Sequence, residues 1–94
     1  MNESLEFLQE WYASNCDGDW EHSYGIKIET LDNPGWMITV DLEGTKSENL
    51  KLSEAIEISD EDWFNISATG KKLMAYGDPK KLTFLLSKIK EFLA

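Results

Sequence analysis

Ninety-four residues carry eighteen carboxylates, nine lysines and no arginine, for a formal charge of −9. Without the planar guanidinium fork that grips phosphate in two places, and with acids outnumbering cations two to one, the chain is not expected to bind nucleic acid. No apolar run approaches the roughly 18–20 residues that span a bilayer, so no membrane partner is expected, and the length predicts one domain, residues 1–94, burying roughly 60–65% of its unfolded surface.

In chain order, Leu5, Leu8, Trp11 and Tyr12 repeat at helical spacing from Asn2 to Asn15, with Phe7 widening the stripe. Asn2 or Ser4 can cap this helix, Glu3 and Glu6 suit its first turn, and Asn15, Asp17 and Gly18 end it. After a loop from Cys16 to Tyr24, Gly25–Leu31 and Trp36–Leu42 alternate as two strands of a hairpin around Asp32-Asn33-Pro34-Gly35. Pro34 followed by Gly35 predicts a type II turn with a positive φ at Gly35.

Lys51–Ile58, Trp63–Ala68 and Lys72–Tyr76 are three further strands, separated by turns at Ser59–Asp62 and Thr69-Gly70. Asp78 is expected to cap a last helix with Pro79 in its first turn, burying Leu82, Leu85, Leu86, Ile89 and Leu93. Helix, five short strands and helix predict an α+β fold: an antiparallel meander of about five strands flanked by an N-terminal and a C-terminal helix.

Charge divides along the chain. Residues 1–70 hold sixteen of the acids and only Lys27, Lys46 and Lys51, whereas residues 71–94 hold six lysines and two acids. Such polarity offers an acidic surface to a basic partner, including a nuclease whose Lys/Arg groove otherwise holds nucleic acid. Cys16, the single cysteine, excludes an intramolecular disulfide, and residues 1–6 lack the order of a signal peptide. A cytoplasmic location is therefore expected.

The densest chemistry lies in Cys16-Asp17-Gly18-Asp19-Trp20-Glu21-His22. A small metal-binding or metal-dependent hydrolytic domain centred on Asp17–His22 is one reading. One Cys and one His cannot close a structural zinc site unaided, and alignment as a calcium loop puts His22 where glycine is required. Ser23, His22 and Asp19 are too close in sequence to converge as a triad, and the acidic surroundings favour the Cys16 thiol over a reactive thiolate. No catalytic residue, metal ligand or cofactor is assigned. In the structural reading Asp17 and Asp19 bind loop amides, Gly18 takes a positive φ, Trp20 lids the core and His22 meets a buried carbonyl. The same rigid loop can also present its carboxylates to a partner.

Trp36 is in register with Ile38 and Val40 and reads as core. Trp63 alternates opposite to Phe64 and Ile66 after Asp60-Glu61-Asp62. It either stands on the other face of the sheet as an aromatic anchor ringed by charge, or packs beneath the first helix. The lysines of the last helix read as a solvated face that compensates nearby carboxylates.

The run Glu10-Trp11-Tyr12, then Cys16-Asp17-Gly18-Asp19-Trp20-Glu21-His22, Gly25, Ile28 and Thr30-Leu31-Asp32-Asn33-Pro34-Gly35-Trp36 resembles the immunity protein 53 family. The resemblance is specific over Trp11 to Leu42 and fades to a general pattern beyond. It implies an antitoxin that neutralises a cognate toxin of a bacterial polymorphic toxin system, with no enzymatic step. Together with the charge pattern, this selects Asp17, Asp19, Glu21, Asp60, Glu61, Asp62 and Trp63 as candidate contacts to a toxin with a basic surface. The chain is expected as a monomer or weak homo-oligomer. An adaptor that pairs through an exposed strand edge is a third reading.

Overall fold

The structure is a computed structural model and describes residues 2–94. Helix α1 (Glu3–Asn15) starts at Asn2, whose side chain accepts the Leu5 amide at 3.0 Å. α1 packs on the C-terminal helix, and the side it turns inward carries Phe7, Leu8 and Trp11, while Leu5 and Tyr12 stand exposed. The buried stripe is thus rotated from the predicted one, because period alone does not say which flank of a broad apolar face meets its neighbour.

The expected loop 16–24 contains a single helical turn, α2 (Trp20–Ser23). Five antiparallel strands follow: β1 (Ile26–Leu31), β2 (Gly35–Asp41), β3 (Lys51–Ser59), β4 (Asp62–Thr69) and β5 (Lys72–Gly77). They form one sheet in the order β1-β2-β5-β4-β3, so the expected meander is interrupted once. The β2–β3 connection carries the chain from the second strand of the sheet to its far edge, and β5 returns to pair with β2 in the middle. Burial explains the arrangement: β2, β4 and β5 bury alternate residues, whereas β1 and β3 are mostly exposed and take the two edges.

Ile38 and Val40 of β2, Leu73 and Ala75 of β5, and Phe64, Ile66 and Ala68 of β4 share one face and are buried. Helix α3 (Leu82–Leu93) covers it with Leu85, Leu86, Ile89 and Leu93, joined by Leu8 and Trp11. Both long helices thus lie on one side. Met37, Thr39, Met74, Tyr76 and Trp63 line the opposite face half-buried, with no long helix over them among the described residues.

Two turn assignments need correction. Gly35 is not in the positive-φ region; it is the first residue of β2, and the loop is Asp32–Pro34 with a cis Asn33–Pro34 peptide. Glycine is required there by a close approach, since a Cβ would lie 2.5 Å from the Gly77 carbonyl oxygen. Asp78 does not cap α3. The N-cap position falls three residues later, at Lys81, ahead of the first helical residue Leu82, and the Asp78 side chain is buried.

Candidate functional site

The loop before β1 is built on its own carboxylates. Gly18 takes φ +91°, as expected. This conformation lets the Asp19 and Trp20 amides reach Asp17 Oδ1 at 3.0 and 2.9 Å, while the Asp17 and Gly18 amides donate to Glu21 at 3.0 and 2.9 Å. Asp17 binds loop amides as expected, but the second carboxylate to do so is Glu21 rather than Asp19, which is exposed. Amide donors hold both the Asp17 and the Glu21 carboxyl below the usual range.

Trp20 is the expected core lid, edge-on to Trp11 at 6.1 Å and donating its ring N–H to the Glu43 carbonyl at 2.8 Å. Tyr24 hydrogen-bonds the Glu43 carboxylate, an interaction that lowers the Glu43 pKa and raises that of Tyr24. His22 is exposed and does not meet a buried carbonyl; with Glu21 it borders a groove of about 630 Å³ over Met37, Thr39 and Met74 on the open sheet face. Of the carboxylates that a metal at this loop would use, Asp17 and Glu21 are turned onto amides. Among the described residues no three His, Cys, Asp or Glu side chains are grouped to hold a metal ion.

Asp60, Glu61, Asp62 and Trp63 form the tip of the β3–β4 hairpin and its first β4 residues. Trp63 lies on the face away from the helices, opposite in alternation to buried Phe64, with its indole beside Gly35. The packed-beneath-α1 reading is therefore set aside. Its backbone is fixed by Asp78: the Trp63 amide donates to Asp78 Oδ2 at 3.0 Å and its carbonyl accepts the Asp78 amide at 3.2 Å.

Asp78 also accepts the Lys80 amide at 2.9 Å and the Lys81 ammonium at 2.8 Å, and Lys81 reaches Asp62 at 2.7 Å. Burial pushes the Asp78 carboxyl up, but the ammonium and the two amides together outweigh it and hold it below its ordinary value. This buried hub was missed in the sequence because Asp-Pro before an apolar stripe is equally the signature of a helix cap. Two lysines of α3 compensate carboxylates as expected, Lys88 pairing with Glu54 at 2.7 Å and Lys90 with Glu3 at 3.7 Å, but they are half-buried rather than on a solvated face. Trp36 packs against the core and donates its ring N–H to the Pro79 carbonyl.

The two candidate clusters do not meet. The Asp17–Glu21 loop adjoins the start of β1 and the end of β2, where the Gly25 amide donates to Asp41. The hairpin tip adjoins the opposite end, beside Gly77 and Asp78. Seven residues of β2 lie between these ends, on the order of 20 Å at the usual strand rise.

Fold and composition define a small acidic α+β protein with its long helices on one face of an antiparallel sheet. The family model described as Immunity protein 53 matches residues 5–94, all but the first four residues, and the chain belongs to that family. The match extends past Leu42 through β3, β4, β5 and α3, where the motif resemblance had faded. Searches of curated proteins and of solved structures found no match.

Proposed function

We propose that this chain, acting as a single cytoplasmic domain without a cofactor, is the immunity protein of a bacterial polymorphic toxin system. It binds its cognate toxin domain and neutralises it by steric and electrostatic occlusion rather than by chemistry. Membership of an immunity protein family, across both helices and all five strands, is the observation that carries this reading.

Charge supports the mode of action. Among the described residues Asp19, Asp60 and Glu61 have no ion-pair partner, so they are free to meet a basic toxin surface. Asp17, Glu21 and Asp62 serve that surface by holding the loop and hairpin in shape, and Trp63 stands beside the acidic tip as an apolar anchor. Opposite charges steer encounter toward about 10⁸–10⁹ M⁻¹s⁻¹ at low salt, which suits interception of a toxin.

The test is stopped-flow association with the toxin domain encoded beside its gene, produced as an inactive variant. The rate is expected to fall steeply from about 10 to about 300 mM salt, and Asp60→Lys with Glu61→Lys is expected to slow it by roughly tenfold or more. A rate indifferent to salt overturns the electrostatic mode. An active toxin undiminished by an equimolar amount of the chain overturns the function itself.

A further inference from the structure

Strand β3 is the longest in the sheet, nine residues, and pairs only with β4, so its outer edge offers unpaired backbone groups to solvent. Proteins usually blunt such an edge with charge, shortness or a covering element. A bulge between Glu57 and Ser59 does interrupt the strand near its end, but the stretch before it is regular from Lys51 to Glu57. The other edge strand, β1, has six residues and one exposed large apolar side chain, Ile28.

Apolar surface collects along β3 instead. Of the six large hydrophobic residues exposed among the described residues, Ile56, Ile58 and Phe84 belong to this edge. Ile56 is the register partner of Phe64, whose ring lies 4.8 Å from that of Phe84 on α3, so Ile56 and Phe84 continue the core outward to the edge. Ile56 is 50% and Ile58 72% exposed, a large apolar area to leave on a chain of this charge.

The electrostatics select the occupant. Between Lys51 and Asp62 there is one lysine against five acids. Glu54 and Asp62 are neutralised by Lys88 and Lys81, whereas Glu57, Asp60 and Glu61 have no ion-pair partner among the described residues. A second copy of the chain would bring the same excess of acids to the edge, on a molecule that itself carries a formal charge of −9, which is unfavourable. A strand with apolar side chains on the α3 side and cationic ones on the other would cover Ile56 and Phe84 and meet Glu57 at once.

We propose that the outer edge of β3, over Lys51–Glu57, is where the toxin docks, by adding a strand in which apolar and cationic side chains alternate. The inference rests on the immunity reading and places the contact on a sheet edge flanked by the acidic hairpin, with backbone pairing supplying affinity and the Ile56–Phe84 patch and Glu57 supplying selectivity.

The test uses the whole chain and the inactive toxin domain encoded beside its gene. Amide-resolved hydrogen exchange is measured with and without toxin, and affinity is measured for Ile56→Lys with Ile58→Lys and for the control Ile28→Lys on β1. Both sets alter exposed side chains, and circular dichroism verifies their fold. Docking at β3 predicts that alternate amides within residues 51–57 gain protection, that the β3 variant binds about a hundredfold more weakly, and that the β1 variant binds as the parent does. Toxin binding with protection gained elsewhere, or undiminished in the β3 variant, overturns the docking site and leaves the immunity reading standing. Toxin that neither binds nor is neutralised by the parent chain removes both. Protection in β3 that rises with the chain's own concentration, without toxin, assigns the edge to a second copy and overturns the proposal.

Discussion

Asp78 shows how one residue decides the shape of a distant surface. It is a buried carboxylate with donors from the Trp63 and Lys80 amides and the Lys81 ammonium, and through Lys81 it ties the start of α3 to Asp62 in the acidic hairpin. Removing it leaves a strand amide without its acceptor and takes one of two carboxylates from Lys81, and breaking a buried pair typically costs about 3–5 kcal/mol. Because Lys81 keeps Asp62, Asp78→Ala is expected near the lower end, about 3 kcal/mol, with Asp78→Asn smaller, both read from denaturant melts. The pH dependence has a definite sign. The folded-state pKa lies below the unfolded value, so the carboxylate's contribution is full above about pH 4 and is lost as pH falls through the folded pKa. The stability gap between parent and Asp78→Asn should therefore narrow in acid; a gap that widens contradicts the assignment.

At the scale of elements, hydrophobic period was a good guide to existence and a poor one to ends and contacts. All five strands and both long helices lie where alternation and helical spacing put them, because burial of one face is recorded directly in the sequence. The α2 turn was not legible, since its stability comes from Asp17 and Glu21 folding back on loop amides rather than from an apolar stripe. Gly35 was legible as a constrained residue for the wrong reason: the constraint is the Gly77 carbonyl of the neighbouring strand, forty-two positions away and invisible to turn chemistry. Gly35→Ala must push β2 and β5 apart and is expected to cost about 1–3 kcal/mol. Gly25→Ala, where a Cβ meets nothing closer than 3.9 Å, is expected within about 0.5 kcal/mol of the parent. Thermal melts of the pair check this, and equal losses would show that the approach of β2 to β5 is not the controlling contact.

For the whole molecule, the −9 charge is spread over a surface with six ion pairs among the described residues. Self-repulsion of that size is expected to outweigh the exposed pairs of Lys71, Lys72 and Lys90, each worth about 0–1 kcal/mol. Raising the salt from about 10 to about 150 mM is therefore expected to raise Tm, since screening acts first on long-range repulsion. A fall in Tm would mean that the Lys81 and Lys88 pairs dominate. The same salt should slow toxin capture, so stability and association are expected to respond in opposite directions.

The sequence by itself determined the helix and strand content, the one-sided apolar faces, the acidic polarity and the family resemblance, because each is written in local spacing or composition. Only the tertiary structure decided that β5 enters between β2 and β4, that the Asp17–Glu21 loop and the Asp60–Asp62 hairpin lie at opposite ends of the sheet, and that Asp78 is a buried hub. Those features depend on which strand edges meet and which polar groups become trapped together. Such pairings join residues far apart in the chain and leave no periodic trace in it.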